Sequence, residues 1–329
     1  MIRPRVGFLG TGWIGRHRME AMIATGGIDA CGIVEPSADG MAQARALAPG
    51  AQAFGDLAAM LDSNPDGLVI ATPSALHAEQ ALAVLDRGVA VFCQKPLGRN
   101  AGETRAVVAA AQRADRLLGV DMSYRLTAAA QALAGLIRDG ALGEIFAVDL
   151  TFHNAYGPDK PWFYDRTQSG GGCLIDLGVH LVDLALWLLD FPQVTAAASS
   201  LHAGGRRLLP NATEVEDHAI ARLDLASGAS VQLACSWRLP VGSDAAIKAA
   251  FYGTKGGVTL HNIGGSFYDF GAWHHRGTHT EQVVAPPDDW GGRAAATWAL
   301  RLGHDAGFDP AVWQIAETAE ALDRIYAGS

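Results

Sequence analysis

This chain has few cysteines, a shortage of positive charge and no long apolar run, and each shortage excludes a class of protein. Its four cysteines are scattered through 329 residues, so we expect neither a disulfide framework nor a zinc knuckle. It carries 25 lysines and arginines against 34 acidic residues, a formal net charge of −9, so we expect neither nucleic acid nor a membrane as a partner. No segment approaches the roughly 20 apolar residues that cross a bilayer, and the first apolar run is shorter than the roughly 7–15-residue core of a signal peptide. The expected location is the cytoplasm.

The strongest positive signal lies near the start of the chain, where a short apolar run at residues 6–9 leads directly into a glycine-rich turn. The turn fits the pattern G-x-G-x-x-G with Gly10, Thr11, Gly12, Trp13, Ile14 and Gly15. In a strand–turn–helix unit the first glycine permits a tight turn, the second lets a pyrophosphate approach the backbone, and the third lets the helix pack on the strand. The N–H groups at the start of the helix favour phosphate. The turn therefore predicts a dinucleotide site.

An acidic residue follows at the distance where such a site needs one. Glu35 lies about 20 residues past Gly15, at the end of a second apolar run. A carboxylate there accepts hydrogen bonds from the adenosine ribose and repels a 2′-phosphate, whereas NADP sites usually carry an arginine nearby. Residues 36–43 contain no lysine or arginine. We therefore expect NAD as the cofactor and NADP as the less favoured alternative. Glu35 could also be an ordinary acid at a strand end.

Hydrophobic patterning divides the chain into two parts. Up to about residue 122, short apolar strands alternate with helices, which predicts a doubly wound parallel sheet of the Rossmann type. Further along, strands follow one another, which predicts an α+β domain on an open, mostly antiparallel sheet. The fold class is thus α/β plus α+β. We assign residues 1–122 to NAD(P) binding and residues 123–329 to substrate binding and oligomerisation, with a last helix that could pack back on the first domain.

Two segments carry side chains suited to chemistry on a bound substrate. Residues 93–96, CQKP, end a predicted parallel strand at the edge where ligands of doubly wound sheets bind, and contain Lys95. Residues 170–189, which begin GGGCLIDLGVHLVD, are predicted to form one helix with Asp176 and His180 on the same face, four residues apart.

These side chains suit the oxidation of a secondary alcohol. Removal of a hydride requires the hydroxyl proton to leave as well, and an imidazole with an ordinary pKa of about 6.5 is a suitable base. His180 would be that base, Lys95 would stabilise the alkoxide, and Asp176 would orient the imidazole or hold a substrate hydroxyl. The alternative is a hydrogen-bonded Asp176–His180 pair without a catalytic role.

Taken together, the motifs resemble those of the Gfo/Idh/MocA family, the glucose–fructose oxidoreductase and inositol dehydrogenase-like NAD(P)-dependent oxidoreductases. The resemblance rests on GTGWIG at residues 10–15, ATPSALHAEQAL at 71–82, CQKP at 93–96 and GGGCLIDLGVHLVD at 170–183, and it covers essentially the whole chain. It implies a Rossmann domain, a second domain with an open sheet, and oxidation or reduction at one carbon of a sugar or cyclitol. It also implies a homodimer or homotetramer that pairs through the C-terminal sheet.

The resemblance also implies roles for individual residues. It makes His180 the acid/base beside Asp176 and makes Lys95 the family's lysine. The residues that it places against the cofactor are Thr72, Pro73 and His77. The family usually has glutamate where this chain has Gln94. Glutamine keeps the hydrogen-bonding ability of that cofactor-contacting position but removes a negative charge beside Lys95, so its role stays open.

Substrate contacts are expected on the loop that follows the first strand of the second domain. The candidates are His153, Asn154, Trp162 and Phe163, because aromatic faces suit sugar rings; the alternative is a loop that only packs on the sheet. A group of histidines at positions 274, 275 and 279 lacks a cysteine or acid to complete it, so we expect no metal.

The favoured function is an NAD-dependent oxidoreductase that moves a hydride between nicotinamide and a secondary hydroxyl of a sugar, polyol or cyclitol. One alternative is an NAD-dependent glycosidase that uses transient sugar oxidation. A second alternative is a non-catalytic NAD-binding sensor, although a sensor has no need of a base such as His180.

Overall fold

Residues 3–209 and 212–328 are described by a computed structural model. Residues up to Ser123 together with Gly291–Ala316 form one unit, and Tyr124–Trp290 with the residues from Glu317 onward form a second. The first unit thus includes a late segment that the division into residues 1–122 and 123–329 gives to the second domain. That division stays a proposal.

The described residues contain ten α-helices and fifteen strands. The helices are α1 (Trp13–Ala24), α2 (Ala38–Leu47), α3 (Leu57–Asp62), α4 (Ser74–Asp86), α5 (Ala101–Ala114), α6 (Ala128–Arg138), α7 (Arg166–Ser169), α8 (Val179–Leu188), α9 (Arg293–Leu302) and α10 (Trp313–Ala327). The strands are β1 (Arg5–Leu9), β2 (Asp29–Val34), β3 (Gln52–Ala53), β4 (Gly67–Ile70), β5 (Ala90–Cys93), β6 (Leu118–Val120), β7 (Ile145–Asn154), β8 (Val194–Ala203), β9 (Arg206–Arg207), β10 (His218–Leu225), β11 (Ser230–Ser236), β12 (Ala245–Gly253), β13 (Gly257–Asn262), β14 (Phe270–Arg276) and β15 (His279–Val284).

The first unit is built on a parallel sheet whose six described strands have the order β3-β2-β1-β4-β5-β6. Strands β4 and β5 are buried along their whole length, which explains why they read as continuous apolar runs. The strand order reverses between β1 and β4, and ligands of doubly wound sheets bind at the carboxyl ends of the strands at such a point.

Helix α9 contributes to the core of this first unit. Its Trp298 is buried and packs on Phe92, with 5.8 Å between the ring centroids. A Cβ added at Gly119 would lie 2.6 Å from the Trp298 ring, so only glycine fits there. We did not expect this helix from the sequence.

The second unit is built on a sheet whose nine described strands have the order β15-β14-β13-β12-β7-β11-β10-β8-β9. The β7–β11 pair is parallel and the other pairs are antiparallel. Along β10, Ala219, Ala221 and Leu223 are buried, whereas Ile220 and Arg222 between them are exposed. The sheet therefore has one covered and one open face, and the predicted fold class is confirmed.

The prediction of one regular helix over residues 170–189 is wrong in its first part. Helix α7 ends before the glycines, and Leu174–Gly178 form a π-helical turn that leads into α8. Side-chain sterics explain the glycines: a Cβ at Gly171 would lie 2.0 Å from the Tyr326 hydroxyl, and one at Gly172 would lie 1.9 Å from the carbonyl oxygen of Glu216. Such π-helical turns are frequent at functional sites.

This same stretch also corrects the expectation about membrane spans. Among the described residues, Arg166–Leu188 is long and apolar enough, by length and composition, to be a candidate span. However, 83% of its most apolar window is buried inside the protein, as in many core helices. It is therefore weak evidence for a membrane.

Candidate active site

The three glycines of the N-terminal turn have different surroundings. Gly10 has a φ of +81°, and a Cβ there would lie 2.7 Å from the carbonyl oxygen of Ala71. A Cβ at Gly15 would lie 2.2 Å from the carbonyl oxygen of Gly10, so this position keeps α1 close to the turn. A Cβ at Gly12 would meet no atom of the described residues within 4 Å, which leaves room above the backbone there. The turn therefore fits a diphosphate that approaches over Gly12.

The start of α1 is also suited to an anion. No side chain among residues 3–209 and 212–328 caps this helix, whereas the Ser37 hydroxyl accepts the Gly40 N–H at the start of α2. The first N–H groups of α1 thus lack a side-chain acceptor and can bind phosphate. Trp13, the first residue of α1, is 63% exposed and stacks on His17.

Glu35 holds the glycine turn from the end of β2. Its Oε2 accepts the Thr11 N–H at 2.6 Å, and its Oε1 accepts the Ser37 N–H at 2.9 Å. The Thr11 hydroxyl also donates to Oε2 at 3.2 Å, so the capacity left for a ribose hydroxyl lies on Oε1, which accepts one hydrogen bond. The carboxylate therefore fits both roles, as a support of the turn and as the predicted cofactor ligand.

His77 links the loops that follow β4 and β5. Its Nδ1 lies 2.7 Å from the carbonyl oxygen of Pro96. Its Nε2 lies 2.7 Å from the carbonyl oxygen of Thr72, the residue before Pro73. Burial lowers the pKa of His77, and the two carbonyls oppose this effect. Because both ring nitrogens contact backbone, the geometry gives His77 a positioning role next to Lys95. Its contact with a cofactor stays a prediction.

In the second unit, Asp176 lies in the π-helical turn beside a group of aromatic rings. The Trp237 indole Nε1–H donates to Asp176 Oδ2 at 3.1 Å. Phe163 meets Trp237 edge-on with 6.3 Å between centroids, and Trp162 stacks on Phe163 at 3.8 Å. The structure thus brings the predicted substrate residues Trp162 and Phe163 to Asp176 through Trp237.

The two predicted candidates at the end of β7 point to opposite faces of the sheet. The buried Oδ1 of Asn154 has no hydrogen-bond partner within the described part of the chain, so an acceptor is left for a ligand or water. His153 lies on the other face, where its Nδ1 is 2.7 Å from the Ser236 hydroxyl and its ring stacks against His218. Because strand residues alternate between faces, His153 and Asn154 lie on opposite sides of the sheet, and the substrate role of each stays a prediction.

A buried glutamate fixes the start of the segment that carries Asp176. The Glu216 Oε1 accepts the N–H of Gly172 at 3.0 Å, the N–H of Leu174 at 2.9 Å and the Tyr326 hydroxyl at 2.9 Å. Burial raises the pKa of Glu216. No sequence motif points to Glu216, since its partners lie more than 40 residues away in the chain.

His180 lies at the start of α8 with its ring against Tyr124, 4.7 Å between centroids. Burial raises the pKa of the Tyr124 hydroxyl. Asp183, less than one turn after His180, is held by both Nε and Nη2 of Arg125 at 2.7 and 2.6 Å. The Thr318 hydroxyl also contacts Asp183, which is therefore occupied with holding the helix.

The histidines considered for a metal lie on a hairpin. His274 and His275 are in β14, His279 is in β15, and Gly277 turns between them with a φ of +60°. Within residues 3–209 and 212–328, no group of three or more His, Cys, Asp or Glu side chains is placed to hold a metal ion.

Comparisons with known proteins agree with these observations. The NAD-binding Rossmann-fold model of the GFO/IDH/MocA oxidoreductase family matches residues 4–122, and the model of the GFO/IDH/MocA C-terminal domain matches residues 130–259. A D-glucoside 3-dehydrogenase of Escherichia coli is 29% identical over 67% of this chain and 67% of its own. A putative UDP-kanosamine synthase oxidoreductase subunit of Amycolatopsis mediterranei is 34% identical over 71% of this chain and 68% of its own.

A solved structure covers the full length. GenD2 from gentamicin A biosynthesis, crystallised in complex with NAD, aligns with a TM-score of 0.80 and 25% identity over 100% of this chain and 94% of its own. These matches confirm the family resemblance that the four motifs indicate.

Proposed function

Because this chain belongs to the GFO/IDH/MocA oxidoreductase family, we propose that it moves a hydride to or from the secondary hydroxyl carbon of a sugar, polyol or cyclitol. The chain is an oxidoreductase that depends on a nicotinamide dinucleotide, and its Rossmann domain supports NAD as that cofactor. The observation that carries the substrate class is the Asp176 carboxylate, oriented by Trp237 beside the stacked rings of Trp162 and Phe163. Such a site offers a hydroxyl acceptor next to apolar ring faces. The E. coli relative, by its name, acts on glucosides.

The proposed mechanism divides the work among three side chains. When bound, NAD supplies the hydride acceptor. The imidazole of His180 takes the substrate hydroxyl proton; because Nδ1 is buried, we assign the transfer to Nε2. The Lys95 ammonium stabilises the charge that develops on the oxygen. Asp176 accepts a hydrogen bond from a neighbouring hydroxyl of the substrate and so fixes the orientation of the substrate in the site.

The reaction is tested with a panel of aldoses, polyols, cyclitols and alkyl glycosides, each assayed with NAD and with NADP by absorbance of the reduced cofactor. We expect net NADH formation with at least one free polyol or sugar, and faster turnover with NAD than with NADP because of Glu35. Release of sugar from a glycoside without net NADH would favour the glycosidase. Tight NADH binding with no turnover of any compound would favour the sensor.

The Trp237 contact gives a sharper test of the substrate site. Trp237→Phe keeps an aromatic ring but removes the N–H that orients Asp176, so we expect kcat/KM to fall roughly tenfold, mainly through KM. Trp273→Phe is the matched control, since Trp273 stacks on His261 elsewhere in the sheet. Equal kinetic effects of the two substitutions would contradict the role given to Trp237.

We also propose that the chain forms a homodimer or homotetramer through the open face of the second sheet. Ile220 on that face is 50% exposed, and burial of such apolar area favours association. Light scattering after size-exclusion chromatography should give a multiple of the chain mass, and Ile220→Asp should lower it. A monomeric wild-type protein would overturn this proposal.

A further inference from the structure

Three buried polar side chains of the first unit form a network at the carboxyl edge of the parallel sheet. Asp121 follows β6 and Gln94 follows β5, and the Asp121 N–H donates to the Cys93 carbonyl at 3.0 Å. Arg18 projects from α1, and its Nε donates to Asp121 Oδ2 at 2.5 Å. The Gln94 amide Nε2–H donates to the same oxygen. The exposed fractions of Arg18, Asp121 and Gln94 are 6%, 1% and 8%.

Within this network, the positive charge of Arg18 equals the negative charge of Asp121 as long as residue 94 is a neutral amide. One guanidinium faces one carboxylate, and Gln94 adds a donor without a charge. A glutamate there would set a second carboxylate against Asp121, and an uncompensated buried charge is strongly destabilising. Asp121 Oδ1 is already buried without a hydrogen-bond partner among the described residues, so a second carboxylate would add to an acceptor that is not yet satisfied.

We propose that Asp121 supplies in this chain the acid that the family pattern places at position 94. The Arg18–Asp121–Gln94 network then positions residues 93–96, here called the Lys95 turn, against helix α1. In this arrangement the carboxylate stands at the end of the neighbouring strand β6, and Gln94 is its hydrogen-bond donor. Arg18 lies on the helix that begins at the glycine turn, so the network joins that helix to residues 93–96. All three act as positioning residues.

The direct consequence is that restoring the family residue damages this protein. Gln94→Glu should lower the Tm of the cofactor-free protein by roughly 5–10 °C, because it buries a second carboxylate. It should also weaken NADH binding, measured by fluorescence titration, because α1 and the Lys95 turn lose their link. Its loss of Tm should shrink on going from about pH 7 to about pH 5, because a protonated glutamic acid again donates to Asp121.

Exchanging the acid and the amide between positions 94 and 121 should restore the stability that Gln94→Glu loses. The double variant Gln94→Glu/Asp121→Asn again places one carboxylate and one amide against Arg18, so most of the loss in Tm and in NADH affinity should be recovered. Asp121→Asn alone leaves Arg18 without its carboxylate and should be less stable than the double variant. A purely steric effect of Gln94→Glu would show neither the pH dependence nor the rescue.

The chain offers a matched control for the same chemical change. On the exposed surface of α2, the Gln43 Nε2–H donates to Asp39 Oδ2 at 2.6 Å. Gln43→Glu also sets a glutamate against an aspartate, but in water, where the repulsion is screened. Its Tm should stay within about 1–2 °C of the wild type.

The structural part of this inference is independent of the proposed reaction, whereas any effect on turnover rests on the proposed role of Lys95. A Gln94→Glu protein as stable as the wild type, or a double variant no better than the worse single variant, would overturn the network. If Tm and NADH affinity follow the expected pattern while kcat of Gln94→Glu is unchanged, the network stands and the role of Lys95 fails.

Discussion

Replacement of His180 by alanine is expected to lower kcat by at least about a hundredfold, because a positioned base contributes roughly 10²–10⁴ to the rate. The Kd for NADH should change little, since the predicted cofactor contacts of the glycine turn and Glu35 do not depend on the His180 side chain. The loss should therefore appear in kcat and kcat/KM together, the signature of an interaction made in the transition state.

The measurement compares steady-state kinetics with NADH titration for the same variant. His279→Ala is the control, because His279 is an exposed residue of the β14–β15 hairpin. It should retain wild-type kcat and KM. Unchanged turnover of His180→Ala would remove this histidine from the mechanism, and a parallel loss of NADH affinity would indicate a damaged fold.

Replacement of Lys95 by alanine is expected to lower kcat by about 10²–10³, the usual effect of removing one group that stabilises a developing oxyanion. The Kd for NADH should rise much less than kcat falls, because the diphosphate is held by the glycine turn. His77 and the loop before it stay in place, since their contacts with Pro96 and Thr72 do not involve the lysine side chain.

Lys255→Ala serves as the control for Lys95→Ala, because Lys255 is exposed in a turn of the second unit. Circular dichroism and Tm should match the wild type for both variants. An increase in KM alone, with kcat unchanged, would show that Lys95 binds substrate without stabilising the transition state.

The glycine turn illustrates what local sequence determines well. The glycine pattern predicts a different physical role for each of Gly10, Gly12 and Gly15. The structure shows a positive φ at Gly10, open space at Gly12 and a close backbone approach at Gly15. These are properties of a few neighbouring residues and one adjacent strand. The sheet architecture was likewise predictable, because strand and helix periodicity is read over short windows.

Contacts between distant segments were less predictable. The Trp237–Asp176 hydrogen bond joins residues 61 apart, and the Gly172–Glu216 bond joins residues 44 apart. No residue spacing in the sequence predicts these two pairs. Both hold the segment that contains the π-helical turn with Asp176. Helix α9 was missed for a related reason: its Trp298 becomes a core residue only when packed against strands far earlier in the chain.

We propose that Lys95 and His180 act in the same chemical step, and a double-mutant comparison of kcat tests this proposal most directly. Groups that act as a unit in one step have non-additive effects. The account predicts that Lys95→Ala/His180→Ala retains a kcat within about tenfold of the slower single variant. A double variant whose loss equals the product of the two single losses would show that the side chains act independently, and would contradict the account.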